Sequence, residues 1–179
     1  VNNSTATDTS LGTVGVALNG IPVYNPFEDP NETAAYGRIF SGCCGHPQIN
    51  GVYHYHKYPT CLRLIKNVRK SEKDKCDEID ALLVANGHSP LIGFAADGWP
   101  IYGPVGWRNA DNKTGVLLVS SYTGTNDSAG NPAYVAGSGD LDECNGLVSP
   151  TPEFPEGIYH YVMSIEADSD GTVLRYLNP

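Results

Sequence analysis

Residues 15–26 read GVALNGIPVYNP and residues 93–104 read GFAADGWPIYGP, with six of the twelve aligned positions identical. In both stretches an Asn-Gly or Asp-Gly step separates two short apolar segments, which is typical of a tight β-hairpin. Because the same hairpin sequence occurs twice, we expect a fold built from β-strands in repeated units.

The repetition continues beyond the hairpins. A Cys-x-Gly step follows each copy, and a Gly-[Val/Ile]-Tyr-His-Tyr segment follows that step, at residues 51–55 and 157–161. Three elements in the same order indicate a duplication, with halves at about 15–58 and 93–165. We therefore predict a mainly β fold in a single domain over residues 13–179, with two pseudo-twofold-related units forming a sandwich or a barrel-like structure.

Two segments depart from this β pattern. Residues 1–12 are rich in Ser, Thr and Asn, and they are predicted to form a flexible N-terminal segment. Residues 77–86 are predicted to form one short helix, in which Asp77 caps the first turn and Gly87 ends the last.

Composition excludes several classes of protein. The chain has 179 residues, 40% of them hydrophobic, and its 11 Lys and Arg against 20 Asp and Glu give a net charge of -9. The apolar content is sufficient for a packed core, whereas the negative charge disfavours binding to nucleic acid. No apolar run approaches the ~20 residues of a membrane helix, so no membrane span is expected.

Sequons and cysteines favour a secreted protein. Five Asn-x-Ser/Thr sequons are predicted glycosylation sites: Asn2, Asn3, Asn31, Asn112 and Asn126. The five cysteines lack the paired spacing of a zinc ribbon, so we predict two disulfides and one odd thiol. The predicted bonds join Cys61 to Cys76, and Cys144 to either Cys43 or Cys44.

The Tyr-His segments carry the candidate metal ligands. Alternate side chains of a strand share a face, so His54 and His56 point the same way. The repeat places His160 at the position equivalent to His54. If the two strands meet near the pseudo-axis, the three imidazoles converge and suit zinc or copper. The alternative is that these Tyr and His residues are amphipathic members of half-buried strands.

Three further residues are possible members of the site. His46 follows the Cys-Cys-Gly segment and His88 follows the predicted helix, so either could complete the site or approach a substrate. His88 could instead interact with the helix dipole. Asp97, in the second hairpin turn, could ligate a metal or act as a base, or it could hydrogen-bond its own backbone.

The motifs resemble the YHYH-domain family, which is named for its tetrapeptide, in four segments: GVYHYHKYPTCL (51–62), HSPLIGFAADGWPIYGP (88–104), LDECNG (141–146) and GIYHY (157–161). The resemblance runs from about Gly15 to about Ile165 and implies a secreted or periplasmic domain. The family's second motif often carries another His where this chain has Val162, whereas His54, His56 and His160 all match.

The expected cofactor is copper, with zinc as the alternative. Imidazoles suit both metals, and an oxidising extracellular setting favours Cu(II). The predicted role is copper capture or copper-dependent oxidation. Two alternatives stay open: a hydrolase or lyase that acts on a glycan through the His and Tyr side chains, and a glycosylated adhesion or structural module without an active site.

A basic segment suggests a further partner. Seven of the 11 Lys and Arg lie within residues 57–75. A solvated surface segment would account for them, and the alternative is a patch that attracts an anionic glycan or a small anion.

Overall fold

The computed structural model describes residues 9–29, 32–33, 40–59, 62, 87–111, 113–122, 133–167 and 173–177. Within these ranges, short strands are joined by turns. Their bounds are as follows: β1 Thr13–Ala17, β2 Pro22–Tyr24, β3 Phe27–Asp29, β4 Glu32–Thr33, β5 Gly45–Pro47, β6 Tyr53–Tyr55, β7 Leu91–Ala95, β8 Pro100–Tyr102, β9 Val105–Gly106, β10 Val116–Leu117, β11 Gly146–Ser149, β12 Ile158–Val162, β13 Ser164–Ala167 and β14 Val173–Leu177.

Eight of these strands form one sheet, in the order β11-β12-β8-β7-β1-β2-β6-β5. The order is symmetric about the central β7–β1 pair. In each half the two hairpin strands are antiparallel, and the Tyr-His strand joins them in parallel, as β6 beside β2 and as β12 beside β8. The duplicated sequence therefore forms two equivalent half-sheets.

The half-sheets meet where β1 and β7 pair antiparallel, with Val16 opposite Phe94. These two residues are aligned positions of the repeat, so the pseudo-twofold axis passes between them. Gly15 and Gly93 flank the pair, and a Cβ on Gly93 would lie 2.2 Å from the Val16 carbonyl oxygen. Only glycine allows the two backbones to approach this closely.

The turn of each hairpin is hydrogen-bonded to a Tyr side chain of the same half. Asn19 donates through Nδ2 to the Tyr55 hydroxyl at 3.0 Å, and the Tyr161 hydroxyl donates to Asp97 Oδ2 at 2.6 Å. Asp97 Oδ1 also accepts the backbone N–H of Trp99 at 3.2 Å. Asp97 therefore stabilises the turn, as a short acidic side chain commonly does.

Apolar side chains from both halves pack into a shared core, which includes Ala17, Val23, Tyr55, Ile92, Ile101 and Met163. The mainly β prediction is confirmed. Because β5 and β11 are the two edges of the eight-stranded sheet, the sheet is open and does not close into a barrel.

Two predicted segments lie wholly or partly outside the described residues. The predicted helix at 77–86 lies outside the described residues, as do residues 1–8 of the predicted flexible segment. Of the remainder of that segment, Ser10 accepts a hydrogen bond from Asn25 Nδ2 at 3.2 Å. In the described part of the chain, no helix has the length and apolar character needed to cross a membrane.

Candidate metal centre

Four side chains converge beside the outer strands of the first half-sheet. His54 lies on β6 and His56 directly follows it, while His46 lies on β5 opposite His54. Glu28 comes from β3. One donor atom from each residue lies within 4.8 Å of the other three donor atoms. Three imidazoles and a carboxylate at this spacing could hold a metal ion.

The donor atoms are close together and largely shielded from solvent. His54 Nε2 lies 2.8 Å from His56 Nε2, and Glu28 Oε1 lies 2.8 Å from His46 Nε2 and 3.5 Å from His56 Nε2. The three histidines are at most 7% exposed, and the Glu28 side chain is 16% exposed. A carboxylate in such a setting is stabilised by a nearby cation.

Backbone hydrogen bonds fix the tautomers of His54 and His56. Nδ1 of His54 donates to the Val52 carbonyl at 3.0 Å, and Nδ1 of His56 donates to the Asn25 carbonyl at 2.5 Å. Because a carbonyl oxygen only accepts, both rings carry their proton on Nδ1 and present a lone pair on Nε2. Two lone pairs 2.8 Å apart repel unless a metal ion or a proton lies between them. This is the arrangement of metal-ligating histidines, whose second ring nitrogen bonds a backbone carbonyl.

Burial keeps His56 in the form that binds metals. Desolvation lowers the pKa of His56 to about 4, although its hydrogen bond to the Asn25 carbonyl raises the pKa and so opposes part of the shift. At neutral pH the imidazole is therefore uncharged, and its Nε2 lone pair is available without the release of a proton.

Aromatic rings hold the imidazoles in place. Tyr24 stacks on His54 with ring centroids 4.0 Å apart, and Phe40 packs edge-on against His46 with centroids 5.1 Å apart. These contacts limit the rotation of His46 and His54, which would reduce the entropy lost if an ion bound there.

A family model described as YHYH protein matches residues 1–173. The chain belongs to the YHYH protein family. The tetrapeptide that names the family, Tyr53–His56, supplies two of the four clustered side chains. The resemblance stated from the motifs is thus confirmed. No curated protein and no solved structure matches the chain significantly.

His160, the histidine of the second Tyr-His segment, lies outside the cluster. It is on β12. Across the sheet, β12 and β6 are five strand spacings of about 4.8 Å apart, which is roughly 24 Å in all. The predicted convergence of His54, His56 and His160 is therefore wrong. The physical reason is that the hairpin strands occupy the pseudo-axis and place each Tyr-His strand on the outer side of its own half.

The second half does not repeat the cluster. The alignment of the two copies places non-ligating residues where the first half has Glu28, His46 and His56, namely Gly106, Leu147 and Val162. His160 is the retained equivalent of His54. Three of the four ligand positions are therefore lost in the second half.

His88 packs beside His160 and does not complete the cluster. Their ring centroids are 6.2 Å apart, and Tyr102 contacts both rings edge-on. Nδ1 of His160 donates to the Ile158 carbonyl at 3.1 Å, and Nδ1 of His88 donates to the Ser89 carbonyl at 2.7 Å. Within the described ranges, neither Nε2 atom has a hydrogen-bond partner. Of the possible additional site residues, only His46 joins His54 and His56.

Sequence reasoning missed Glu28. Glu28 lies just beyond the first hairpin copy, where neither a strand alternation nor a Tyr-His segment marks it. A usable signal was the comparison of the two copies, because Glu28 and His46 align with Gly106 and Leu147. Positions that carry a possible metal ligand in one copy and none in the other point to a candidate site in one half.

Of the residues in the cysteine and glycosylation predictions, Cys43, Cys44 and Cys144 lie in the described part of the chain. Cys144 is a free, exposed thiol, so the predicted bond from Cys144 to Cys43 or Cys44 is wrong. These residues lie near β11 and β5, the opposite edges of the sheet. Outside the described residues lie the predicted Cys61–Cys76 pair and all five sequon asparagines: Asn2, Asn3, Asn31, Asn112 and Asn126.

Lys57, the first basic residue of the segment 57–75, does not belong to a basic surface patch. Lys57 is only 2% exposed, and its Nζ lies 4.2 Å from the centroid of the Phe40 ring, a cation–π contact. Lys57 is therefore not part of a solvated basic surface. The other six basic residues of that segment lie outside the described residues.

Proposed function

We propose that this protein binds one copper ion, as Cu(II), through Glu28, His46, His54 and His56. The observation that carries the proposal is the pair of Nε2 lone pairs on His54 and His56, which face each other at 2.8 Å while both Nδ1 atoms are bonded to carbonyls. A bound cation turns this repulsion into coordination. The Glu28 carboxylate offsets part of the charge of the ion.

The choice of copper over zinc rests on the proposed setting. Three imidazoles and a carboxylate suit both metals, and the donor distances do not separate them, since two pairs are at 2.8 Å and the His56–Glu28 pair is at 3.5 Å. In an oxidising compartment copper is available as Cu(II), which these ligands favour.

The proposed setting is extracellular, and the proposed role is copper capture or copper-dependent oxidation. Five sequons and an uneven set of five cysteines support secretion. An oxidising compartment keeps copper in the Cu(II) state, which suits imidazole and carboxylate ligands.

The test is the metal content of protein that is secreted by a eukaryotic host without added metal. We expect stoichiometric copper and an axial Cu(II) resonance with hyperfine structure from imidazole nitrogens. Glu28→Gln keeps the size of the side chain and removes its charge, so this variant should bind copper more weakly while its fold is unchanged. Stoichiometric zinc that copper does not displace would contradict the choice of metal, and protein that binds neither metal would contradict the proposed function.

A further inference from the structure

A cavity of about 210 Å³ adjoins the metal cluster. Glu28, His54 and His56 all line it. His46 is covered by the ring of Phe40, whose centroid lies 5.1 Å from that of the imidazole. An ion held by these ligands therefore has its remaining coordination positions on the side of the cavity.

The other wall of the cavity combines apolar surface with one amide. Leu11, Phe27 and Tyr24 contribute the apolar surface. The Tyr24 hydroxyl donates to Gln48 Oε1 at 3.2 Å, which orients the amide and leaves its nitrogen, Nε2, as a hydrogen-bond donor. A ligand in the cavity thus meets the ion, one amide donor and an apolar surface.

Size and charge narrow the class of ligand. At about 210 Å³, the cavity is smaller than the ~300–1,000 Å³ pockets that take drug-sized molecules, so it suits a small ligand. The charge of a divalent ion less that of the Glu28 carboxylate leaves one positive charge, which favours a monoanion. A carboxylate has two oxygens, one for the ion and one for the Gln48 amide, and a small apolar body would contact Leu11 and Phe27.

We propose that the cavity binds a small monocarboxylate with an apolar body, with one oxygen on the metal ion and the other accepting a hydrogen bond from Gln48. This inference rests on the proposed metal binding. It makes Gln48 a specificity-determining residue, because that amide distinguishes a carboxylate from a ligand with a single donor atom.

The test uses benzoate as the probe and benzamide as its neutral counterpart. Protein of measured copper content is titrated with each compound, and binding is followed by calorimetry and by the Cu(II) resonance. We expect benzoate to bind and to perturb the resonance, benzamide to bind at least tenfold more weakly, and metal-free protein to bind benzoate at least tenfold more weakly.

Gln48→Leu removes the amide and keeps a side chain of similar size. We expect this variant to keep its copper content and to bind benzoate at least tenfold more weakly. Val148→Ala, at a 72% exposed position on β11, is the matched control and should bind benzoate like the parent protein. If copper-loaded protein does not bind benzoate, or if Gln48→Leu binds benzoate with the affinity of the parent protein, the proposed carboxylate site is refuted. The proposed metal site is not affected by either result. If the protein binds no metal, both proposals fail together.

Discussion

His54 and His160 occupy equivalent positions in the two halves, and each donates its Nδ1 proton to the carbonyl two residues before it. The two imidazoles thus share a strand position, a tautomer and near-complete burial. They differ in their neighbours, because among the described residues His54 belongs to a group of four possible metal ligands, whereas His160 packs beside His88 and belongs to no such group. The second half is therefore an internal control for the first.

The first prediction compares His54→Ala with His160→Ala. Loss of a hydrogen-bond partner of a metal ligand lowers metal affinity ~10–100-fold, and loss of the ligand itself should lower it further. We therefore expect His54→Ala to lose about 100-fold or more in copper affinity. His160→Ala should change the affinity less than about threefold, since His160 is roughly 24 Å away. Isothermal titration with a competing chelator measures both. Equal losses in the two variants would contradict the assignment of the site to the first half.

The second prediction transfers residues from the second half to the first. His46→Leu combined with His56→Val reproduces the pair Leu147 and Val162. Because the same sheet accommodates that pair at equivalent positions, we expect the double variant to fold with native circular dichroism. It should no longer bind copper stoichiometrically. A double variant that binds copper as tightly as the parent would show that the ion lies elsewhere.

The third prediction concerns the stability of metal-free protein in acid. Burial lowers the pKa of His56 and of His160 to about 4, whereas histidine in the unfolded chain has a pKa near 6.5. Between these values the unfolded state binds more protons, so the free energy of unfolding decreases as the pH falls from about 6.5 to about 4. Each histidine contributes at most roughly 3 kcal/mol to this decrease.

Urea denaturation of metal-free protein across that pH range measures the effect. In His160→Gln, one of the two imidazoles whose pKa is lowered to about 4 is absent, so the decrease in stability should be clearly smaller than in the parent. A variant that loses stability as steeply as the parent would show that His160 does not resist protonation in the folded state.

The fourth prediction concerns the junction of the halves. In Gly93→Ala, the new Cβ would lie 2.2 Å from the Val16 carbonyl oxygen, so β1 and β7 must separate. We expect a loss of about 2 kcal/mol or more in the free energy of unfolding. Gly20→Ala is the control, since it meets no atom within 4 Å and should cost about 1 kcal/mol through its positive φ alone. A loss for Gly93→Ala no larger than for this control would contradict the close approach.

The fifth prediction concerns the cysteines. Cys144 is the free thiol among the described cysteines, and we expect Cys43, Cys44, Cys61 and Cys76 all to be disulfide-bonded. Alkylation without reduction, followed by peptide mapping, should label Cys144 alone. Labelling of all five cysteines would contradict both the disulfides and the proposed secretion.

The local sequence was sufficient to predict the two hairpins, the Tyr-His strands and the family. Asn-Gly and Asp-Gly turns between apolar segments depend on interactions within a few residues, so they can be recognised without any knowledge of the fold. The alternation in Tyr53–His56 likewise placed His54 and His56 on one face, because the side-chain period of a strand is two. These two histidines do share the cluster.

The order of the strands was decided only by the tertiary structure, and the ligand set followed from that order. The repeat shows that His160 is equivalent to His54, but equivalence does not say whether the two meet at the axis or lie on opposite sides of it. The close pairing of Gly15 and Gly93 with the facing strands puts the hairpins at the axis and separates the two imidazoles. Glu28 comes to the cluster from β3, in a separate part of the chain, whereas His46 comes to it through the antiparallel pairing of β5 with β6; neither position carries a local pattern that identifies it.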